Sequence, residues 1–177
     1  GGPKLPDDVE ARIEQELAAL GPVTGEVGAI HGRRDPSAYV DHLVAVLQGR
    51  DLHGLRVVVD AANGAASHVV ADVFGRTGAQ IVVINAAPDG RNINASCGAT
   101  HPAGLQAAVV AERAHVGVAL DGDADRLIAV DERGDIVDGD HIIAICATDL
   151  RERGLLRDDT AVVTVMTNPG VRRAMSD

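Results

Sequence analysis

Stretches of apolar and polar residues divide the chain into short strands and amphipathic helices. An acidic first turn at 6–8 precedes apolar positions at helical spacing, which predict a first helix: Val9, Ile13, Leu17 and Leu20. Residues 21–34 are rich in Gly and Pro and show no period, so they predict a linker. A second helix is predicted from about Asp35 to Gly49.

From residue 55 onward, short β-branched runs alternate with helical segments. These runs predict strands at 55–60, 80–84, 116–120, 127–131 and 161–167. The segments between them predict a helix that follows a turn at Asn63-Gly64, runs through 69–74 and ends near Gly78, and further helices at 103–114 and 139–153 and from 170 onward. Alternation of this kind is typical of βαβ units with parallel strands, but six residues between the third and fourth strands are too few for a parallel crossover. We therefore predict an α/β fold with a mixed, largely parallel sheet flanked by helices.

Composition and charge narrow the class of protein. The core must be aliphatic, because Tyr39 and Phe74 are the only aromatic residues in a chain that is 46% apolar. A formal charge of −10 argues against a nucleic-acid partner, and no apolar stretch reaches the roughly 20 residues of a membrane span. Cys97 and Cys146 lack metal-site spacing. We therefore expect two reduced thiols in a cytoplasmic protein.

Between the third and fourth strands lies the hexapeptide Asp121-Gly-Asp-Ala-Asp-Arg126. Three carboxylates at alternate positions repel one another, and a hard divalent cation such as Mg²⁺ relieves that repulsion through oxygen ligands. Arg126 cannot ligate a metal, but its fork of donors suits a phosphate. The hexapeptide therefore indicates phosphoryl transfer.

Three other interpretations of the hexapeptide are weaker. A plain hairpin turn needs one or two Asp or Gly residues, not three alternating carboxylates. An EF-hand would match Asp121, Asp123, Asp125 and Glu132, but Arg126 stands where Gly is required and the flanks are predicted strands. A haloacid-dehalogenase-type phosphatase would need a later lysine, and Lys4 is the only lysine in the chain.

The hexapeptide between two apolar strands closely resembles the metal-binding loop in domain 2 of the four-domain α-D-phosphohexomutases. Further segments resemble the same family: 57–65, 89–101, 138–140 and 163–168. The segments 89–101 and 163–168 are most similar to the phosphoglucosamine mutase branch, whose members interconvert glucosamine 6-phosphate and glucosamine 1-phosphate for bacterial cell-wall precursors.

The resemblance implies a role for each residue of the loop. Asp121, Asp123 and Asp125 would be the protein ligands of one Mg²⁺, with an oxygen of a phosphoserine completing the site. Arg126 would contact phosphate, and the reaction would pass through a bisphosphorylated sugar. The implied partners are a phosphosugar and the remaining domains of the same enzyme, and a homodimer of the full-length protein is compatible with the family.

The resemblance also predicts a division of the chain into pieces of three domains. Residues 1–34 would be the end of domain 1 and a linker, 35–157 the metal-binding domain 2, and 158–177 the first strand and helix start of domain 3. The family's Ser-His-Asn-Pro loop with the phosphoserine is absent from the 177 residues. We therefore expect a fragment that is inactive alone. A phosphomannomutase or phosphoglucomutase of the same family and a non-catalytic metal-binding module stay open as alternatives.

Overall fold

The computed structural model describes residues 4–22, 25, 28–29 and 35–175. The chain divides into two compact units, residues 1–34 and residues 35–177. The first unit contains helix α1 (Asp7–Ala19), which confirms the first predicted helix. None of the residues of α1 is buried. Most of the predicted linker at 21–34 lies outside the described residues.

The second unit is built on a five-stranded mixed sheet with the order β2-β1-β3-β4-β5. Its strands are β1 (Arg56–Asp60), β2 (Gln80–Ile84), β3 (Val116–Leu120), β4 (Leu127–Asp131) and β5 (Ile136–Val137). Strands β2, β1 and β3 run parallel, and β4 runs antiparallel to both β3 and β5. The predicted fold class and the antiparallel third and fourth strands are therefore confirmed.

The helices of the second unit are α2 (Ser37–Ala45), α3 (Val70–Gly75), α4 (Ala103–Glu112), α5 (Gly139–Glu152) and α6 (Pro169–Ala174). Helix α3 is shorter than its apolar pattern predicts, because a 3₁₀ turn at Ala65–His68 takes up the preceding residues. The side chain of Asp138 caps α5 by accepting a hydrogen bond from the backbone N–H of His141 at 3.0 Å. Such a cap satisfies a donor that the helix itself leaves unpaired.

Alternation along β1 distributes its valines between two cores. Val58 joins a cluster with Leu105 and Val109 of α4. Val57 and Val59 join a second cluster with Val70 of α3. Because successive side chains of a strand point to opposite faces, α3 and α4 cover opposite faces of the sheet. Strand β1 is buried on both faces, and the turn after it lies beside the carboxyl end of β3.

The prediction of a strand over Ala161–Thr167 is wrong. This segment is irregular and ends in a turn, and its side chains at Val162, Val165 and Met166 are 91%, 90% and 86% exposed. A strand needs a neighbour to receive its backbone hydrogen bonds, and no strand among the described residues pairs with this segment. Strand β5, by contrast, lies between the strand predicted at 127–131 and the helix predicted at 139–153, where no strand is predicted, since two residues give no periodic signal.

Candidate metal and phosphate loop

The hexapeptide 121–126 connects β3 to β4 at the carboxyl end of β3. Because β1 and β3 pair in parallel, with Asp60 beside Ala119, the residues that follow both strands meet at one edge of the sheet. The backbone N–H of Ala65 donates to the carbonyl oxygen of Gly122 at 2.8 Å. The turn after β1 and the hexapeptide are therefore in direct contact.

The carboxylate of Asp121 is buried and fully engaged within the loop. Its Oδ1 accepts from the backbone N–H groups of Asp125 and Arg126, each at 3.2 Å. Its Oδ2 accepts from Nε and Nη2 of Arg126, each at 2.9 Å. Burial acts to raise the pKa of Asp121, but the hydrogen bonds and positive charge of Arg126 outweigh it and lower the pKa below its ordinary value. Asp121 is therefore held as a charged carboxylate.

The other two carboxylates of the loop are open to solvent. Asp123 is exposed, and the Asp125 side chain is 72% exposed, with Oδ1 3.7 Å from Nε of Arg126. The backbone turns between them at Ala124, whose φ is +60°. Both carboxylates are accessible to a cation from solution.

The donors of the loop fit a hard cation by their chemistry, since all three side chains offer carboxylate oxygens. Their arrangement is incomplete, because Arg126 holds both its Nε and its Nη2 on Asp121. Across the described ranges, no group of three or more His, Cys, Asp or Glu side chains lies in an arrangement that could hold a metal ion. The ligand set Asp121, Asp123 and Asp125 thus stays a prediction.

Arg126 pairs with Asp121 and also lines a cavity beside the hexapeptide. Its side chain is 71% exposed although it pairs with buried Asp121. A shallow cavity of about 300 Å³ is lined by Arg126 and by Thr100 of the 89–101 segment. An arginine with exposed donors at a cavity is suited to an anion such as phosphate. Its predicted role as a phosphate contact also stays a prediction.

Two glycines hold the hexapeptide against its neighbours, and the sequence indicates neither of these contacts. A Cβ on Gly64 would overlap the carbonyl oxygen of Gly122 and lie 2.7 Å from its Cα. A Cβ on Gly98, where φ is +71°, would lie 2.6 Å from both the Cβ of Ala62 and the carbonyl oxygen of Leu120. These close backbone approaches require glycine. A single glycine in a turn is too common to reveal such a contact from sequence.

A third neighbour of the hexapeptide is Asn94. Its backbone N–H donates to the carbonyl oxygen of Ala62 at 2.9 Å, and its side chain lies against Gly122, where an added Cβ would come within 2.7 Å of Nδ2. Its Oδ1 is buried and lacks a hydrogen-bond partner within the described structure. The 89–101 segment therefore packs directly on the acidic loop.

An apolar cleft of about 470 Å³ lies on another side of the hexapeptide. It is lined by both aromatic residues, Tyr39 from α2 and Phe74 from α3, and reaches Asp123 and Ala124.

Among the described helices, none is long and apolar enough to cross a membrane.

Two family models match the chain. The phosphoglucomutase/phosphomannomutase α/β/α domain II matches residues 37–134, and domain III of the same family matches residues 138–177. The transition between these matches lies near 134–138, upstream of the boundary at 157/158 predicted from the sequence. Neither the described contacts nor the matches test that predicted division.

Curated relatives are similar to the chain over nearly its whole length. Phosphoglucosamine mutases of Symbiobacterium thermophilum and Kineococcus radiotolerans are 52% and 51% identical, covering 98% and 99% of this chain. The chain spans only 40% and 41% of these relatives.

Among solved structures, a phosphoglucomutase/phosphomannomutase family protein of Burkholderia thailandensis has a TM-score of 0.64 at 27% identity. The match covers 84% of this chain and 32% of that chain. The Aspergillus fumigatus N-acetylphosphoglucosamine mutase, solved with GlcNAc-6P and magnesium, shares the fold with a TM-score of 0.54 at 22% identity, over 79% of this chain and 31% of that one. With domain II matched over 37–134, this chain belongs to the phosphoglucomutase/phosphomannomutase family.

Proposed function

We propose that this chain is the metal-binding part of a phosphoglucosamine mutase, which interconverts glucosamine 6-phosphate and glucosamine 1-phosphate. The observation that carries the proposal is a sequence identity of about 50% to phosphoglucosamine mutases over nearly all of the chain. The oxygen-only donor set of that hexapeptide supports a part in phosphoryl transfer.

Asp121, Asp123 and Asp125 would hold Mg²⁺, which when bound acts as a Lewis acid on the transferring phosphoryl group. Asp123 and Asp125 are exposed and accessible for this role. Asp121 is kept ionised by Arg126 and by two backbone N–H groups. The protein thus maintains a charged oxygen ligand at the base of the loop.

Arg126 would serve two states of the loop. In the structure, its guanidinium compensates the buried charge of Asp121. If Asp121 held a cation, its charge would no longer need Arg126, and the donors of Arg126 would be available for a phosphate. The two predicted roles of the hexapeptide, metal ligation and phosphate contact, are therefore coupled through this ion pair.

Mg²⁺ titration of the 177-residue chain tests the ligand assignment. We expect weak binding, since three carboxylates without a phosphoserine oxygen leave the rest of the coordination sphere to water. Asp123→Asn should abolish this binding, whereas Asp135→Asn, which removes an exposed carboxylate outside the hexapeptide, should not. Tight stoichiometric binding that survives Asp123→Asn would contradict the assignment.

Activity assays separate the proposed reaction from its alternatives. The chain alone should not turn over glucosamine 6-phosphate, because its 177 residues contain no Ser-His-Asn-Pro loop. A longer protein that contains this segment and that loop should prefer glucosamine 6-phosphate over glucose 6-phosphate and mannose 6-phosphate. Preference for either of the latter would favour a phosphoglucomutase or phosphomannomutase, as the name of the matched family allows. Absence of turnover with all three would favour a non-catalytic metal-binding module.

A further inference from the structure

Asp60 is a fully buried carboxylate at the carboxyl end of β1, with no exposed surface. Its Oδ1 accepts from the backbone N–H of Ala62 at 2.9 Å, and its Oδ2 accepts from the backbone N–H of Gly98 at 2.9 Å. Burying a carboxylate is unfavourable unless its oxygens are hydrogen-bonded. The backbone pairing of β1 with its neighbours does not use this side chain. A side chain of this type at this position therefore needs another explanation.

The two segments that Asp60 joins are the two that hold the hexapeptide. Next to Gly98, the backbone N–H of Ala99 donates to the carbonyl oxygen of Leu120 at 2.9 Å, directly before Asp121. Beyond Ala62, the backbone N–H of Ala65 donates to the carbonyl oxygen of Gly122 at 2.8 Å. The first metal-loop residue, Asp121, is thus flanked on both sides by hydrogen bonds from segments that Asp60 fixes.

Packing leaves these segments little room to compensate for a lost bond. Gly98 lies so close to Ala62 and Leu120 that an added Cβ would be 2.6 Å from each. The backbone N–H of Asn94 adds a further bond to the carbonyl oxygen of Ala62. Residues 62, 94 and 98 thus form a tightly packed block, and the carboxylate of Asp60 lies beneath it and accepts hydrogen bonds from Ala62 and Gly98.

We propose that Asp60 is a positioning residue for the metal loop, acting through Gly98 and Ala62 on the backbone at Leu120 and Gly122. The expected effect of Asp60 on Mg²⁺ binding rests on the proposed function. Its expected effect on the order of the loop rests on the hydrogen bonds alone. Asp60 has no exposed surface, so it acts on the loop from the interior of the fold. In other proteins, residues that do not bind the metal themselves orient the metal ligands through hydrogen bonds. Asp60 would act in the same way.

Asp60→Asn in the 177-residue chain tests the proposal. Asparagine keeps the size of the side chain but presents an NH₂ donor to one of the two backbone N–H groups, so one bond is lost. Amide hydrogen exchange by NMR should accelerate about tenfold or more at Ala65 and Ala99, as local opening of the block becomes easier. The Mg²⁺ concentration at the midpoint of the amide shifts of 121–126 should rise about tenfold.

Val109→Ala provides the matched control, because it lowers stability from the α4 core and removes no hydrogen bond of Asp60. Ala99 packs against the same core cluster, so the control is judged by the exchange at Ala65 and by the Mg²⁺ midpoint, and it should leave both unchanged. Unchanged exchange and Mg²⁺ midpoint in Asp60→Asn would overturn the proposal, and so would equal changes in Val109→Ala. If wild type shows no Mg²⁺ response, the metal assignment fails, and the exchange rates still decide whether Asp60 orders the loop.

A second variant covers the case in which Asp60→Asn does not fold. Asp60→Ala removes the acceptor without placing a donor against the backbone N–H of Gly98, and the same faster exchange is expected. If neither variant folds while Val109→Ala does, Asp60 is a determinant of global stability and the positioning role is refuted.

Discussion

Gly64→Ala is expected to separate the turn after β1 from the hexapeptide 121–126. The φ of Gly64 is −105° and its ψ is −159°, so alanine can adopt this backbone conformation and the effect is purely steric. Its Cβ would overlap the carbonyl oxygen of Gly122 and lie 2.7 Å from Cα and 2.8 Å from the carbonyl carbon. Ordinary carbon contacts lie at about 3.5–4.0 Å, so the two backbones must move apart by roughly 1 Å.

The magnitude follows from two contributions. Overpacking of this kind costs about 1–3 kcal/mol when the obstacle cannot rotate away. Here the obstacle is backbone, and separation also breaks the bond from the Ala65 N–H to the Gly122 carbonyl oxygen, which contributes about 1 kcal/mol. The free energy of unfolding should therefore fall by about 2–4 kcal/mol.

Urea unfolding followed by far-UV circular dichroism measures this change, since the chain has no tryptophan to report by fluorescence. With a slope of about 2 kcal/mol per M, the midpoint should fall by about 1–2 M urea. Gly104→Ala is the matched control, because its Cβ meets nothing within 4 Å and alanine favours the first turn of α4. Its midpoint should stay unchanged or rise.

A loss of less than about 0.5 kcal/mol in Gly64→Ala would refute the reasoning, since ordinary surface substitutions lie within that range. Equal losses in Gly64→Ala and Gly104→Ala would refute it as well. Either result would mean that the turn and the hexapeptide are not in tight backbone contact.

Three further outcomes are expected. Leu105→Ala should lower the free energy of unfolding by about 2–5 kcal/mol in a denaturant titration, because Leu105 is completely buried against the sheet; a loss typical of a surface site would contradict this packing. Asp138→Ala should lower the urea midpoint at pH 7 by removing the α5 cap. Hydrogen bonds from His141 lower the pKa of Asp138 in the folded state. The stability that Asp138 contributes is therefore present above the unfolded pKa of about 3.9 and is lost as the pH falls through the lower folded pKa. A substitution effect that is as large near pH 2 as at pH 7 would contradict this pH dependence. A thiol reagent should modify exposed Cys146 quickly and Cys97 slowly, because burial and then the charge of Asp60 raise the pKa of Cys97; equal rates would argue against its burial.

Local pattern was sufficient for most of the second unit. The bounds of β2, β3 and β4 match the predicted strands, because each is a β-branched run flanked by turn residues. The antiparallel pairing of β3 with β4 followed from a connection too short for anything else. The hexapeptide itself was identified because its three carboxylates and arginine are adjacent in sequence.

Pattern failed where a segment depends on partners distant in the chain. The run at 161–167 has the composition of a strand but has no neighbouring strand among the described residues, so its backbone does not join the sheet. Strand β5 forms in spite of weak local signal, because β4 offers it an edge. Hydrogen bonds between strands are tertiary contacts, and composition alone cannot supply them.

The sequence by itself determined the chemistry of the loop: three carboxylates and one guanidinium within six residues. Only the tertiary structure decided how these groups are arranged. It pairs Arg126 with buried Asp121 and leaves Asp123 and Asp125 open to solvent. It also places Asp60, 61 residues before Asp121, beneath the segments that hold the loop. The reason is that the parallel pairing of β1 and β3 brings the ends of both strands to one edge, and no local signal encodes which strands become neighbours.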